Sequence, residues 1–139
     1  MNPDQALIEI LNQAIEIEYG ALFLMPQHIA RLEDEELAAG LRDACQDELD
    51  HAETTARLIF ALGGLPKGDF KLLRPVQTVK EMLQMHLDGE QRVIQIYRQA
   101  ITKARRPEHK ETLRRLLADE EGHQVTFKRL LDRLEGTPG

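Results

Sequence analysis

Two Glu-x-x-His groups mark the sequence, ELDH at 48–51 and EEGH at 120–123. Residues three apart on a helix share a face, so each group would aim a carboxylate oxygen and an imidazole nitrogen at one point. A further glutamate stands 30 residues upstream of each, Glu18 before Glu48 and Glu90 before Glu120. Adding 72 to Glu18, Glu48 and His51 gives Glu90, Glu120 and His123. Around the second members, LRDACQDELDHAETTARL at 41–58 lines up without gaps on LRRLLADEEGHQVTFKRL at 113–130. The chain therefore carries a two-fold pseudo-repeat of one three-residue device. With 15 Glu and 5 His present, a lone Glu-x-x-His is a weak signal. Two copies, each with an equally spaced upstream glutamate, are a much stronger one.

Four carboxylates gathered away from water repel one another, lose hydration, and must be neutralised by cations or take up protons. Two divalent cations would cancel the four charges and leave two neutral imidazoles as nitrogen donors. Hard oxygen donors with two imidazoles and open positions suit iron first, with manganese as the alternative; structural zinc sites usually close four ligands. The expectation is two iron ions per chain, with Glu18, Glu48, His51, Glu90, Glu120 and His123 as metal-binding and catalytic residues. A metal-free hydrogen-bonded core would leave the charge burden uncompensated.

Helices must position these residues, because the apolar period is helical nearly everywhere and no alternating stretch nominates a strand. The first seam reads Leu7, Leu11, Ile15, Glu18, Leu22, Met25, Ile29, opened by Asn2 as cap with Pro3 at the first helical position. Pro26 should bend this helix, not end it. The second starts near Asp34 and reads Leu37, Leu41, Ala44, Glu48, His51, Thr55, Leu58, Leu62. The third follows LRP with Val76, Val79, Leu83, His86, Glu90, Val93, Tyr97, Ile101, and the fourth follows Pro107 with Leu113, Leu116, Glu120, His123, Phe127, Leu130, Leu134. Each apolar seam is thus interrupted at mid-length by the candidate ligands. The turns at LEDEE and ARRP are short, as antiparallel neighbours need, whereas GGLPKGDFKLLRP separates helices two and three. Extended, that segment spans ~40 Å at ~3.3 Å per residue, about the length of a 28-residue helix. The expected fold is all-α, one domain over residues 1–139, with two antiparallel helical hairpins joined by a long crossover.

Composition agrees with such a domain: 42% hydrophobic but only 4% aromatic residues make an aliphatic core. A net charge of −6 argues against a nucleic-acid partner and suits cations. Cys45 is the only cysteine, so neither an intramolecular disulfide nor a thiolate zinc site is available. No signal-like start and no apolar run of spanning length are present, so no membrane partner and a cytoplasmic location are expected.

One Glu from each of two helices plus Glu-x-x-His from the other two resembles the ferritin-like di-iron pattern. LNQAIEIE, DELDHAE, GGLP and LADEEGH are similar to bacterioferritin segments in the same order, over nearly the whole chain. The resemblance implies a ferritin-like four-helix bundle in which Glu48 and Glu120 bridge two metals. Glu18 and His51 would complete one ion, Glu90 and His123 the other. It implies ferroxidase activity, the oxidation of Fe(II) by O2 or peroxide for iron detoxification or storage. A peroxide-reducing di-iron protein is the second enzyme class, though the rubredoxin-type iron site of rubrerythrin-like relatives needs four cysteines. A non-catalytic metal-binding scaffold or iron-delivery protein is the third reading. The family's haem-ligating methionine is Leu49 here, so no haem is expected. Side-by-side pairing of ferritin-like subunits implies a homo-oligomer of at least two subunits, paired through helices 1 and 2, while the sequence stops at LEGTPG, where the family continues into a short fifth helix, so the resemblance leaves a closed shell open. Met25 stands where the family has a tyrosine, while the repeat-related position carries Tyr97.

Several neighbours admit two readings. Asp47 and Asp119 either orient an imidazole across the site or remain exposed helical acids. Tyr97 reads as a hydrogen-bond partner of a ligand carboxylate, and His86 as a hydrogen-bonded core histidine ahead of a conditional ligand or gate. His28 and His109 read as surface residues, and Cys45 as a small packed side chain. Gly20, Gly89 and Gly122 read as sites of close helix approach or a local bulge.

Overall fold

A computed structural model describes residues 2–70 and 76–136. Its four helices are α1 (Gln5–Arg31), α2 (Glu35–Ala61), α3 (Val79–Lys103) and α4 (Pro107–Gly136), with no strand among the described residues. The start signals work as the chemistry of helix ends requires. Asp34 Oδ1 accepts from the Glu36 and Leu37 amides at 2.9 and 3.3 Å, and Thr78 Oγ1 from the Glu81 amide at 3.1 Å. Gly63, at φ +85°, turns the chain out of α2. α1 runs through Pro26.

Contacts at helix ends fix the topology. Asn2 Nδ2 donates to Leu62 O (2.8 Å), so α1 and α2 are antiparallel. Lys80 Nζ meets Glu135 (3.0 Å), so α3 and α4 are antiparallel too. Arg31 donates to the Val76 and Gln77 carbonyls (2.8 and 2.7 Å) and Arg105 to Asp4 (3.0 Å), which runs α3 against α1. α2 and α3 then point the same way, and residues 63–78 must return the length of the bundle. Residues 65–70 run along α1: Asn12 donates to Leu65 O (3.2 Å) and accepts from the Lys67 amide (2.8 Å), and Phe70 packs on Phe23 with ring centroids 5.4 Å apart. This is the expected pair of hairpins joined by a crossover. Its residues 71–75, which include the LRP before α3, and the terminal residues 137–139 lie outside the described residues.

Local expectations are corrected in four places. Asn2 does not cap α1: its amide is drawn to the unpaired carbonyl of Leu62, and the helix begins at Gln5. Val76 precedes α3, which waits for the Thr78 cap. Leu134 is partly exposed, and Leu131 is buried instead. His28 is buried, not at the surface.

The core is two aliphatic layers. One gathers Leu7, Leu11, Ile15, Ile59, Tyr97 and Leu113, the other Met25, Leu41, Met82, Leu83, Phe127 and Leu130. The polar gaps of the seams fall between them. Replacing Leu11, which is fully buried, by Ala should cost about 3 kcal/mol. Asn12→Ala should cost no more than about 1 kcal/mol while hydrogen exchange at the Lys67 amide accelerates. Chemical denaturation and amide exchange check both, and equal costs would contradict this division between core and crossover.

Candidate metal centre

Glu18, Glu48, His51, Glu90, Glu120 and His123 all lie in the gap between the layers, each between 0% and 8% exposed. Four of them form the tightest group: ligating atoms of Glu48, His51, Glu120 and His123 lie within 4.8 Å of one another. His123 Nδ1 is 2.8 Å from Glu48 Oε1, and His51 Nδ1 contacts Glu120 Oε1. Each imidazole therefore reaches the glutamate of the other hairpin. Glu90 joins beside His123, 3.5 Å from its Nδ1. Glu18 enters from α1, where the Tyr97 hydroxyl donates to its Oε1 at 3.2 Å and stands 3.0 Å from Thr55 Oγ1.

The two readings of Asp47 and Asp119 resolve in favour of orientation. Asp47 Oδ2 lies 2.8 Å from His123 Nε2 and Asp119 Oδ2 3.1 Å from His51 Nε2, although both carboxylates are more than half exposed. With Nε2 held at the rim, Nδ1 of each ring faces inward, the arrangement that fixes a ligating tautomer. Thr55 was missed by sequence reasoning beyond its place on the seam. His28 was also missed: its Nδ1 is 2.9 Å from His86 Nε2, and both rings are buried. Its signal was its spacing, three residues after Met25. Gly89 and Gly122 do not mark close helix approach. A Cβ on Gly89 would come no nearer than 4.0 Å to Ile17 Cγ2, and one on Gly122 would meet nothing within 4 Å.

The protein alone does not satisfy this cluster. Glu18 Oε2, Glu90 Oε2 and Glu120 Oε2 are buried without a hydrogen-bond partner. Orphaned carboxylate oxygens together with two inward imidazole nitrogens fit cations better than they fit a closed hydrogen-bond network. Without metal, protons do part of the neutralising. Burial disfavours the charged form of His51, yet its contacts with Glu120 and Glu48 hold it at about 11. Burial acts likewise on His123, which Glu48 and Asp47 hold at about 9. Burial would raise Glu48, but His123 and His51 keep it at about 2. Burial, then the neighbouring Glu120 and Glu48, push Glu90 far above the usual carboxylate range. Burial also lifts Glu120, against the pull of Glu90 and His51.

A ferritin-like domain profile matches residues 8–137. The chain belongs to the ferritin-like family. Solved structures agree with this membership. A ferritin-like di-iron-carboxylate protein of Bacillus anthracis is 27% identical with a TM-score of 0.85, covering 94% of this chain and 99% of that one. Desulfovibrio desulfuricans bacterioferritin, solved with its di-iron site in different catalytic states, is 25% identical (TM-score 0.86; 97% and 83% covered). Rhodobacter capsulatus bacterioferritin, solved with a metal-free dinuclear site and a haem iron, is 27% identical (TM-score 0.82; 97% and 89%). Comparison with curated proteins finds no match. Among the described residues of this ferritin-like chain, no helix is long and apolar enough to cross a membrane.

The raised imidazoles set a pH dependence for the metal-free protein. Their stabilisation is complete below about pH 6.5 and is lost as pH rises through about 9 and then about 11. Glu90 acts in the same direction, and Glu48 in the opposite one, losing its contribution only as pH falls towards about 2. The urea midpoint should therefore fall between pH 7 and pH 10, while metal affinity rises over the same window because Nδ1 must shed its proton to bind. A flat midpoint would mean the rings are already neutral at pH 7.

Proposed function

We propose that this ferritin-like chain is a ferroxidase that takes two Fe(II) ions as substrate at Glu18, Glu48, His51, Glu90, Glu120 and His123. Electrons pass to O2 or to peroxide. With O2, two Fe(II), one O2 and two protons give two Fe(III) and one H2O2. With peroxide, two Fe(II), one H2O2 and two protons give two Fe(III) and two H2O. Lowering free Fe(II) in this way serves iron detoxification or storage.

The observation that carries this reading is the set of orphaned carboxylate oxygens around two imidazole nitrogens already turned inward. Glu48 and Glu120 are the proposed bridges, since each belongs to one Glu-x-x-His group and contacts the imidazole of the other, on the opposite hairpin. Glu90 belongs with His123 on one ion, supported by their 3.5 Å separation. Glu18 belongs with His51 on the other, its carboxylate held by Tyr97. Asp47 and Asp119 keep the rings from turning away. Burial keeps the Tyr97 phenol protonated, so it remains a hydrogen-bond donor to Glu18. Di-iron and dinuclear sites in the solved relatives support the choice of metal. The single free cysteine suits a reducing, cytoplasmic setting in which Fe(II) persists. Exposed Phe23 on α1 and Leu49 and Phe60 on α2 supply the apolar surface for a pairing of at least two subunits.

Anaerobic titration should saturate at two Fe(II) per chain, and admitting O2 should raise near-ultraviolet absorbance as oxygen is consumed. Asp119→Asn should weaken metal binding by roughly 10–100-fold, as loss of an orienting partner does, and Glu120→Ala by more. Retention of full stoichiometry and affinity in Glu120→Ala would overturn its assignment as a bridge. Two bound Fe(II) that do not react with O2 or peroxide would leave a scaffold in place of an enzyme.

A further inference from the structure

A cavity of about 40 Å³ lies against the site. It is bordered by the carboxylates of Glu48, Glu90 and Glu120, and not by Glu18. Two of these carboxylates carry orphaned oxygens. Its remaining wall is almost wholly apolar: Ile17, Ala21 and Leu24 from α1, and Met85, Gly89 and Val93 from α3. His86 supplies the one other polar edge, and its ring is fixed by His28 at 2.9 Å and by stacking on Phe127 at a centroid distance of 5.8 Å. Ile17, Met85 and Gly89 also line a larger groove between α1 and α3, so the cavity is the inner end of that groove.

Gly89 forms part of the cavity wall. Glycine weakens a helix interior relative to alanine, and here no neighbour forbids a side chain, since the closest atom to an added Cβ is 4.0 Å away. What the missing Cβ does is widen the seam between the groove and the carboxylates. A cavity of this size takes one or two small molecules, and apolar walls favour an uncharged, weakly hydrated one over water.

We propose that this cavity is the pocket in which dioxygen is held against the carboxylate cluster, with Gly89 and Ala21 setting its width and His86 held in place as its polar edge. The proposal rests on the ferroxidase reading and adds to it the place and size limit of the oxidant. The pocket opens on the Glu48, Glu90 and Glu120 carboxylates, so O2 would meet the cluster from the Glu90 side. Its binding there needs no charge and displaces no ligand.

Xenon, an uncharged probe of apolar cavities, tests the pocket in the metal-free protein, by crystallography under gas pressure or by xenon NMR. Wild type should take up xenon between Ala21 and Gly89, and Ala21→Leu should abolish it. Ala21→Leu should still bind two Fe(II) per chain anaerobically yet consume O2 at least ten-fold more slowly. Gly89→Ala, whose added Cβ would lie 4.0 Å from Ile17 Cγ2, provides a folded variant of intermediate width and should slow O2 consumption less. Absence of xenon from the wild-type pocket, or an unchanged O2 rate in Ala21→Leu, would overturn the proposal while leaving the ferroxidase reading intact. A wild-type protein that binds two Fe(II) and is inert to O2 and to peroxide alike would instead overturn the ferroxidase reading, and the oxidant pocket with it; one that reacts with peroxide alone would overturn the pocket only.

Discussion

Buried charge at the middle of the bundle is the constraint from which the rest of this structure follows. Four carboxylates and two imidazoles sit where leucines would otherwise meet, and the protein's own hydrogen bonds leave three carboxylate oxygens unpartnered. Such a layer does not hold a bundle together, since separating it from water costs more than mutual pairing returns. Cohesion has to come from the aliphatic layers on either side, which is why each helix runs for 25 to 30 residues. Helices half as long would carry the polar layer with too little apolar surface to compensate it. Long helices in turn oblige the α2–α3 connection to travel the length of the bundle, and Asn12 and Phe23 give it a track along α1.

The pseudo-repeat that builds the cluster is broken around it, and the breaks are paired. Tyr97 answers to Met25 and Thr55 to Phe127, so the Glu18 half carries a hydroxyl pair while the Glu90 half carries a thioether and a phenyl ring. His28 and His86 answer to Ala100 and Ala14, both fully buried. On the Glu18 side, two alanines leave room for the bulk of Tyr97. On the Glu90 side, the histidine pair takes that room, His86 stacks on Phe127, and burial lowers both imidazoles, His86 to about 4. A duplicated set of carboxylates and imidazoles has thus been given two different surroundings, one that hydrogen-bonds its outer carboxylate and one that leaves it facing a cavity.

The parts of this structure that were legible in the sequence are those governed by period and spacing. The Glu-x-x-His groups interrupt otherwise clean 3.6-residue seams, and the equal intervals of 30 residues place Glu18 level with Glu48 and Glu90 level with Glu120 once each hairpin folds. Interactions that depend on a partner from another helix were not legible. Nothing near Asn2 indicates that its amide will be taken by Leu62 O, 60 residues away. His28 read as a surface residue because a histidine at the flank of a seam is usually solvated. Its burial depends on His86, 58 residues on, presenting a nitrogen for it to pair with. Asp47 and Asp119 could be placed beside the site by spacing, but their choice between solvent and imidazole was settled only by the approach of the opposite hairpin.

That approach is itself informative, because α2 and α4 are the least closely packed of the neighbouring helix pairs. Between these two helices, two Asp–His pairs and two His–Glu contacts cross from one to the other. Each imidazole is carried by one hairpin and gripped by carboxylates of the other, so neither Glu-x-x-His group has its final geometry until both hairpins have docked. The site is therefore a property of the docked bundle, and any cation held jointly by Glu48 and Glu120 would bind the docked state far better than a separated hairpin. By linkage, such a cation would stabilise the hairpin interface at the height of the carboxylate cluster.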